Sequence, residues 1–390
     1  MTTHRLHSLL RHLAGPILGL AAGILHAQSF DTGSDGNLGD LRITNSVTLD
    51  LPADGRIKVR SLVIDAGSVL SFRANAANTP VYILSQGDVR IAGQIYIAGD
   101  SVDRSQISGG LGGPGAFRGG NRASDGMDAG AGQGPGGGNR QRGAASSEQP
   151  GAAGHRISHS NDNNPQNGRA YGTPTLIPMI GGSGGGGGWS EPGGGGGGAV
   201  LVASSTRITL VGSIDARGGS APNNNGGSGG AVRLVAPIVD GPGHIHVHGN
   251  SSGSEGRIRI DTFDSRIPIF NTGGFVPSTG SLLFTGLDLP GAPRLEVTQV
   301  GRYEVAPGEG NAFSILLPVG SSPQQNVVVR ATGFGRRIPI QVVLTPDSGD
   351  RQVYNATLDN SNPGSIEVIV PVVFPANVTT LVNAWTVPGQ

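Results

Sequence analysis

The sequence predicts an all-β chain: a parallel β-helix (solenoid) with a Gly-rich insertion, followed by an immunoglobulin-like β-sandwich. Three observations predict it. A stretch of 22 residues recurs without a gap, apolar residues occupy every second position through much of the chain, and the composition changes near Pro290. Alternation with period two is the mark of a strand, whose side chains point to opposite faces in turn. A fixed internal repeat is the mark of stacked units that cannot bury their apolar faces alone.

Residues 1–27 are expected to be a signal peptide. Arg5 and Arg11 form a basic start, Leu13 to Leu25 is an apolar run, and Leu25-His26-Ala27 is an imperfect cleavage site. The apolar run is too short to span the roughly 30 Å of a bilayer core as a helix. A mature start near Gln28 follows. No later segment is apolar enough to span a membrane, so a secreted or cell-surface location is expected, with no membrane span in the mature chain.

Residues 28–290 carry the repeat. Pro80 to Ser101 (PVYILSQGDVRIAGQIYIAGDS) aligns with Ala199 to Ser220 (AVLVASSTRITLVGSIDARGGS). Val81 falls opposite Val200, Ile83 opposite Val202, Val89 opposite Ile208, Ile91 opposite Leu210 and Ile95 opposite Ile214. Ala231 to Ser251 is a third copy with one residue deleted, and Gly256 to Asp261 a truncated fourth. Each copy reads as three short strands with Gly at the corners, where positive φ is expected. The upstream runs around Leu41, Leu49, Ile57, Leu62 and Leu70 behave alike. Short strands at such spacing also suit a sandwich; the gapless repeat favours the β-helix.

Between the first and second copies lies the insertion, residues 102–198. It contains GGLGGPGAFRGG, GPGGGNRQRG and GGSGGGGGWSEPGGGGGG, with a polar stretch from His155 to Asn167. So few bulky apolar residues cannot form a globular core, and disorder is one expectation. The other is a bundle of extended three-fold helices, because chains without side chains can approach closely. Trp189 would then be a packing anchor. No Lys-Ser or Lys-Thr follows a Gly run, so no phosphate loop is present.

Residues 291–390 are expected to be the Ig-like β-sandwich. Gly thins out and seven candidate strands appear: Arg294–Val300, Ala312–Val319, Asn326–Thr332, Ile338–Thr345, Arg351–Leu358, Ser365–Val373 and Val378–Val387. That number of short strands in about 100 residues is the sandwich pattern, here without the Cys pair of antibody domains.

Composition excludes several functions. Glycine (69) and proline (26) make up about a quarter of the 390 residues, twice the usual share. Lys+Arg and Asp+Glu are both 27, so the chain lacks the basic footprint of a nucleic-acid binder. Without cysteine there is no disulfide scaffold, thiolate metal site or Cys nucleophile.

Four segments in this order carry a resemblance: Ala77–Gly93 (ANTPVYILSQGDVRIAG), Gly112–Gly120 (GGPGAFRGG), Gly230–Ala236 (GAVRLVA) and Gly256–Asp264 (GRIRIDTFD). The chain resembles exported bacterial glycine-rich β-helix proteins with an Ig-like C-terminal domain, a largely uncharacterised group. The resemblance covers most of the mature chain. It implies an extracytoplasmic β-helix protein and carries over no catalytic residue.

With apolar positions inward, the third strand of each repeat exposes the alternate residues: Gln94, Tyr96 and Ala98; Ser213, Asp215 and Arg217; His244, His246 and His248. Stacked in register these make a three-by-three patch. Tyr96, Asp215, Arg217, His244, His246 and His248 are its candidate ligand-binding residues. Alternate residues on a strand stand nearly 7 Å apart, so three imidazoles on one strand do not close around one small cation; two together with Asp215 is the metal-binding arrangement to weigh against a plain solvated face. No metal and no cofactor is expected.

An enzyme requires clustered carboxylates, and Asp65, Asp88, Asp215, Asp240 and Asp261 are dispersed, one per rung. Neither G-x-S-x-G nor H-E-x-x-H occurs. The expectation is therefore a non-enzymatic structural or adhesive protein whose partners are extracellular glycans or other surface proteins. A carbohydrate-active enzyme, lyase or hydrolase, on the same scaffold is the alternative.

Overall fold

The computed structural model describes residues 30–142, 168–268, 272, 276–282, 285–286, 293–306, 313–335, 337–361 and 366–387. The expected signal peptide, the stretch from His155 to Asn167 and the expected boundary at 290–291 lie outside the described residues.

The first half of the architecture follows from short strands that pair with their counterparts one turn further on. β1 (Asp40–Ile43), β2 (Val47–Asp50) and β3 (Arg56–Val59) make one turn of chain. β4 (Ser61–Ile64), β5 (Val69–Arg73) and β6 (Val81–Ser85) make the next. β7 (Val89–Ile91), β8 (Gln94–Tyr96) and β9 (Ala199–Ser204) follow, then β10 (Arg207–Leu210), β11 (Ser213–Asp215) and β12 (Ala231–Val235). β13 (Ile238–Asp240), β14 (His244–His246) and β15 (Arg257–Asp261) make a fifth turn, with β16 (Asp264–Ser265) and β17 (Ser278–Gly280) beyond. Three parallel sheets result, ordered β1-β4-β7-β10-β13-β16, β2-β5-β8-β11-β14 and β3-β6-β9-β12-β15-β17. Successive strands visit the three sheets in rotation, so this part of the chain is solenoid-like.

The repeat alignment is the pairing register. Val81 lies opposite Val200 and Ile83 opposite Val202. Val89 pairs with Ile208 and Ile91 with Leu210, and Ile95, Ile214 and Ile245 form one column. These residues belong to a single buried aliphatic core between the three sheets. Main-chain groups are satisfied by the turns above and below, which lets strands of three or four residues persist.

Corner glycines serve two purposes: Gly55, Gly67 and Gly241 take the expected positive φ, whereas Gly212 answers to another need. Gly212 has no positive φ; a Cβ there would lie 1.8 Å from the carbonyl oxygen of Gly93 on the preceding turn. Close approach of stacked turns, not left-handed backbone, requires glycine at this corner.

Alternation also breaks in the third sheet. All six residues of β9 and all five of β12 are buried. Leu84, Ala199, Leu201, Ala203, Ala231 and Val235 point away from the main core into a second one, closed by Leu176, Met179, Phe30 and Leu282. Part of the glycine-rich insertion thus covers the sheet. A parallel strand buried on both faces reads as a continuous apolar run.

The described parts of the insertion are ordered as close-packed extended chains. Gly193 donates its N–H to Gly120 O (2.9 Å), Gly194 to Asn225 O (2.8 Å) and Gly195 to Asp100 O (3.0 Å). One step of three later the same neighbours recur. Gly196 donates to Phe117 O (2.9 Å), Gly197 to Ser228 O (2.9 Å) and Gly198 to Ile97 O (2.7 Å). This is the period of a three-fold extended helix, which has no internal hydrogen bonds and turns each N–H to a different side. Added Cβ atoms at Gly193, Gly194 and Gly195 would lie 2.0, 2.2 and 2.0 Å from carbonyl oxygens of three different segments. Every side is closed, so an uninterrupted glycine run is required. The expectation of disorder is corrected for these residues. Trp189 is also corrected: it is 63% exposed and anchors nothing.

The C-terminal part is antiparallel. β18 (Arg294–Val300), β19 (Tyr303–Glu304), β20 (Ser314–Ile315), β21 (Gln324–Thr332), β22 (Arg337–Pro346), β23 (Gln352–Asp359), β24 (Glu367–Val373) and β25 (Thr380–Thr386) form two four-stranded sheets. Their orders are β19-β18-β21-β24 and β20-β25-β22-β23. Val297, Val327, Val329, Ile340, Val342, Leu344, Val370 and Val382 from both sheets share one buried core. Of the expected strand Ala312–Val319, the described part keeps two strand residues, Ser314–Ile315. The β22–β23 turn reaches the glycine-rich bundle: Gly349 N donates to Ala129 O (3.0 Å) and Arg140 Nε to Asp350 Oδ1 (2.7 Å).

Candidate functional site

The candidate face lies on the sheet β2-β5-β8-β11-β14, on the side away from the aliphatic core. Pairing sets its rows. Gln94, Ser213 and His244 stand opposite one another, and so do Tyr96, Asp215 and His246. Hydrogen bonds from Gly99 N to Arg217 O (2.9 Å) and from Gly218 N to His248 O (3.0 Å) carry the register onward. All six candidate residues are therefore brought together. The middle row runs on through Ser71 and Thr48, whose hydroxyls are 2.8 Å apart.

Exposure divides them. Tyr96 is 42% exposed and His244 is exposed, while His246, His248 and Arg217 are half-buried. Asp215 is 1% exposed, which corrects the expectation of an open carboxylate. Its neighbours in the row, a phenol and an imidazole, are long, and Arg217 folds back over it. Arg217 Nε donates to Oδ1 at 2.9 Å and Nη2 to Oδ2 at 2.6 Å, and the Arg217 backbone N–H adds 3.1 Å to Oδ1. A two-pronged guanidinium–carboxylate contact of this kind is strong and directional.

The imidazoles form a short ladder. His244 and His246 stack with centroids 6.0 Å apart, and His246 meets His248 edge-on at 6.0 Å. Burial, above all, lowers the pKa of both His246 and His248; the Arg217 charge and the adjacent imidazoles push the same way, against the attraction of Asp215. Burial raises the Tyr96 pKa, and the carboxylates of Asp215 and Asp100 add to this. These directions favour the neutral forms of His246, His248 and the Tyr96 phenol at neutral pH.

Chemically this face offers hydrogen-bond donors and acceptors, flat rings and one exposed guanidinium edge. Its central carboxylate, Asp215, is occupied by Arg217, while Asp100, near enough to act on Tyr96, is exposed and has no ion pair among the described residues. Of the other carboxylates on the rungs, Asp65 is held by Arg42, Asp240 by Arg207, and Asp261 by Arg233 and Arg259; that of Asp88 is exposed and, among the described residues, accepts only the Thr206 hydroxyl. Among the described residues no group of three or more His, Asp or Glu side chains is placed to hold a metal ion. None of the described helices is long and apolar enough to cross a membrane.

Sequence reasoning missed a second location. A cleft of about 740 Å³ opens between the insertion and the outer face of the sheet β20-β25-β22-β23, lined among others by Arg169, Tyr171, Gln341, Arg351, Asn355 and Trp385. These residues come from three separated stretches, so no local motif marks them.

Comparison with known proteins finds no matching family model, no similar curated protein and no similar solved structure.

Proposed function

We propose that the chain is an exported, non-enzymatic structural or adhesive protein of the cell surface or extracellular matrix. On this reading it belongs with the exported glycine-rich proteins that it resembles, the parallel part is a β-helix, and the antiparallel part is an Ig-like sandwich. Strand rotation through three sheets and a core shared by two antiparallel sheets support the two architectures.

One observation carries the functional reading. Asp215, the carboxylate at the centre of the candidate face, is buried and closed by Arg217. General acid–base work needs a carboxyl within reach of the substrate and free to exchange a proton. What is left on and beside the face is suited to contact: Tyr96, His244, His246, His248, the outer edge of Arg217 and the single exposed carboxylate of Asp100, which among the described residues has no second carboxylate paired with it there. Rings and amide-like donors of this type suit glycans or another protein surface.

The test uses the whole secreted chain. N-terminal sequencing of secreted material is expected to begin near Gln28. A glycan array is expected to give binding that weakens in Tyr96→Ala and His244→Ala, with no new reducing ends or unsaturated sugars released. Release of such products would overturn the non-enzymatic reading in favour of the lyase or hydrolase. Retention of Met1 in a cytoplasmic pool would overturn export.

A further inference from the structure

The cleft beside Arg351 is charged in one sense only. Its lining holds two arginines, Arg169 and Arg351, and no aspartate or glutamate. Arg169 is exposed at the rim. Arg351 is 5% exposed and, among the described residues, has no carboxylate within ion-pair distance. Two of its nitrogens are held by backbone: Nη1 donates to Gly137 O (3.1 Å) and Nη2 to Pro135 O (3.2 Å). Its Nε finds no hydrogen-bond partner among the described residues. Burial alone pushes its pKa down to about 10, with no acidic neighbour to offset the cost. A guanidinium buried without a counter-charge is costly unless something supplies the missing charge.

The remaining lining says what kind of molecule would supply it. Pairing places Asn355, Gln341 and Trp385 in one cross-strand row of the sheet floor. Gln341 Nε2 donates to Asn355 Oδ1 (3.0 Å), which leaves the other amide atoms of the pair for a ligand. The Trp385 ring is fixed edge-on by Phe117, with centroids 5.7 Å apart, and its Nε1 has no partner. Tyr171 is buried on the insertion side and fixed by its hydroxyl, which donates to Gly181 O (2.9 Å). Thr173 and Thr357 add hydroxyls. Amides, hydroxyls and aromatic rings around paired cations are the recognition set of an anionic sugar. The rings cover apolar sugar faces, the amides and hydroxyls meet sugar hydroxyls, and the guanidinium meets the carboxylate.

We propose that this cleft binds a short acidic saccharide, with its carboxylate directed at Arg351 and Arg169 and a sugar ring against Trp385. The site is distinct from the Tyr96–His244 face and goes beyond the adhesive reading.

The chain has two tryptophans, so Trp189→Phe in the full chain leaves Trp385 as the sole indole reporter. Titration of this protein with a tri-uronate is expected to change Trp385 emission saturably and to weaken with added salt. The matching neutral trisaccharide is expected to bind at least about tenfold more weakly, the discrimination of a single charge-assisted contact. A sulfated trisaccharide is expected to bind more weakly than the tri-uronate, and equal or tighter binding would overturn the carboxylate assignment. Arg169→Glu, at an exposed rim position, is expected to lower uronate affinity about tenfold or more with unchanged circular dichroism. Arg351→Lys keeps the charge and loses the planar fork, and is expected to lower uronate affinity about tenfold, while Tyr96→Ala with His244→Ala is expected to leave the titration unchanged. Equal binding of neutral and acidic sugars, no response to any of them, indifference to Arg169→Glu, or loss in the Tyr96 and His244 variants would each overturn the assignment. The face proposed above is tested separately on the array and survives such a failure.

Discussion

Arg217 grips the carboxylate of Asp215, two residues earlier in the chain, through two parallel contacts of 2.9 and 2.6 Å. The pair is asymmetric. The Asp215 side chain is 1% exposed and that of Arg217 is 43% exposed. Loss of either partner is therefore unequal in cost.

Arg217→Ala strands a buried carboxylate and is expected to destabilise by about 2–3 kcal/mol, somewhat below a fully buried broken pair. Asp215→Ala strands a guanidinium that water can reach, and about 1 kcal/mol is expected. Denaturant unfolding of both variants checks the order. An equal or reversed order would show that Asp215 is not held as described.

The inward column gives a larger effect. Ile214 is fully buried between Ile95 and Ile245 on adjacent turns. Ile214→Ala is expected to cost about 2–5 kcal/mol through lost burial and a residual cavity. The same unfolding measurement reads it. A cost below that of Asp215→Ala would contradict the register.

Glycine substitutions separate packing from propensity. A Cβ on Gly195 would sit 2.0 Å from the Leu111 carbonyl oxygen, whereas one on Gly335 meets nothing within 4 Å. Gly195→Ala is expected to destabilise by about 3 kcal/mol or more, since backbone must move. Gly335→Ala should stay within roughly 0.5 kcal/mol. Thermal unfolding of the two single variants decides whether the bundle is closed.

Acid should weaken the histidine ladder. His246 and His248 have pKa values lowered in the folded chain, burial being the main cause. The folded state then holds fewer protons than the unfolded state as pH falls. Their contribution is fully present above the ordinary histidine pKa, about 6.5, and is lost as pH drops through the lower folded values. Melting temperature is expected to fall between neutral and mildly acidic pH, and His246→Gln should flatten that fall. A pH profile identical to the parent would remove His246 from the effect.

Much of the solenoid-like part was legible because its information is local and repeated. Period-two alternation identifies inward residues strand by strand, and a gapless repeat aligns one turn on the next, so Ile95, Ile214 and Ile245 could be stacked from letters alone. Alternation fails where a strand is covered on both faces, as at Leu201 and Ala203, because nothing in those residues says what lies outside them. The candidate face was legible as a grouping and not as an environment: spacing put Asp215 beside Tyr96 and His246, and only side-chain packing buried it.

The amino-acid sequence by itself determined the all-β class, the pairing register and the glycine runs without which close packing is impossible. These follow from steric rules that act within a few residues or between identical repeats. The tertiary structure alone decided how the glycine runs are used, which carboxylates are neutralised and where Arg351 is left without a counter-charge among the described residues. Glycine presents no side chain to signal a partner, so its run specifies permission for contact and not the neighbour. Gly194, for example, meets Asn225 through its N–H and would meet Gly219 through a Cβ, two contacts made from distant stretches of chain. The cleft between Arg169, Arg351 and Trp385 arises in the same way, from segments far apart in sequence that long-range packing brings to one place.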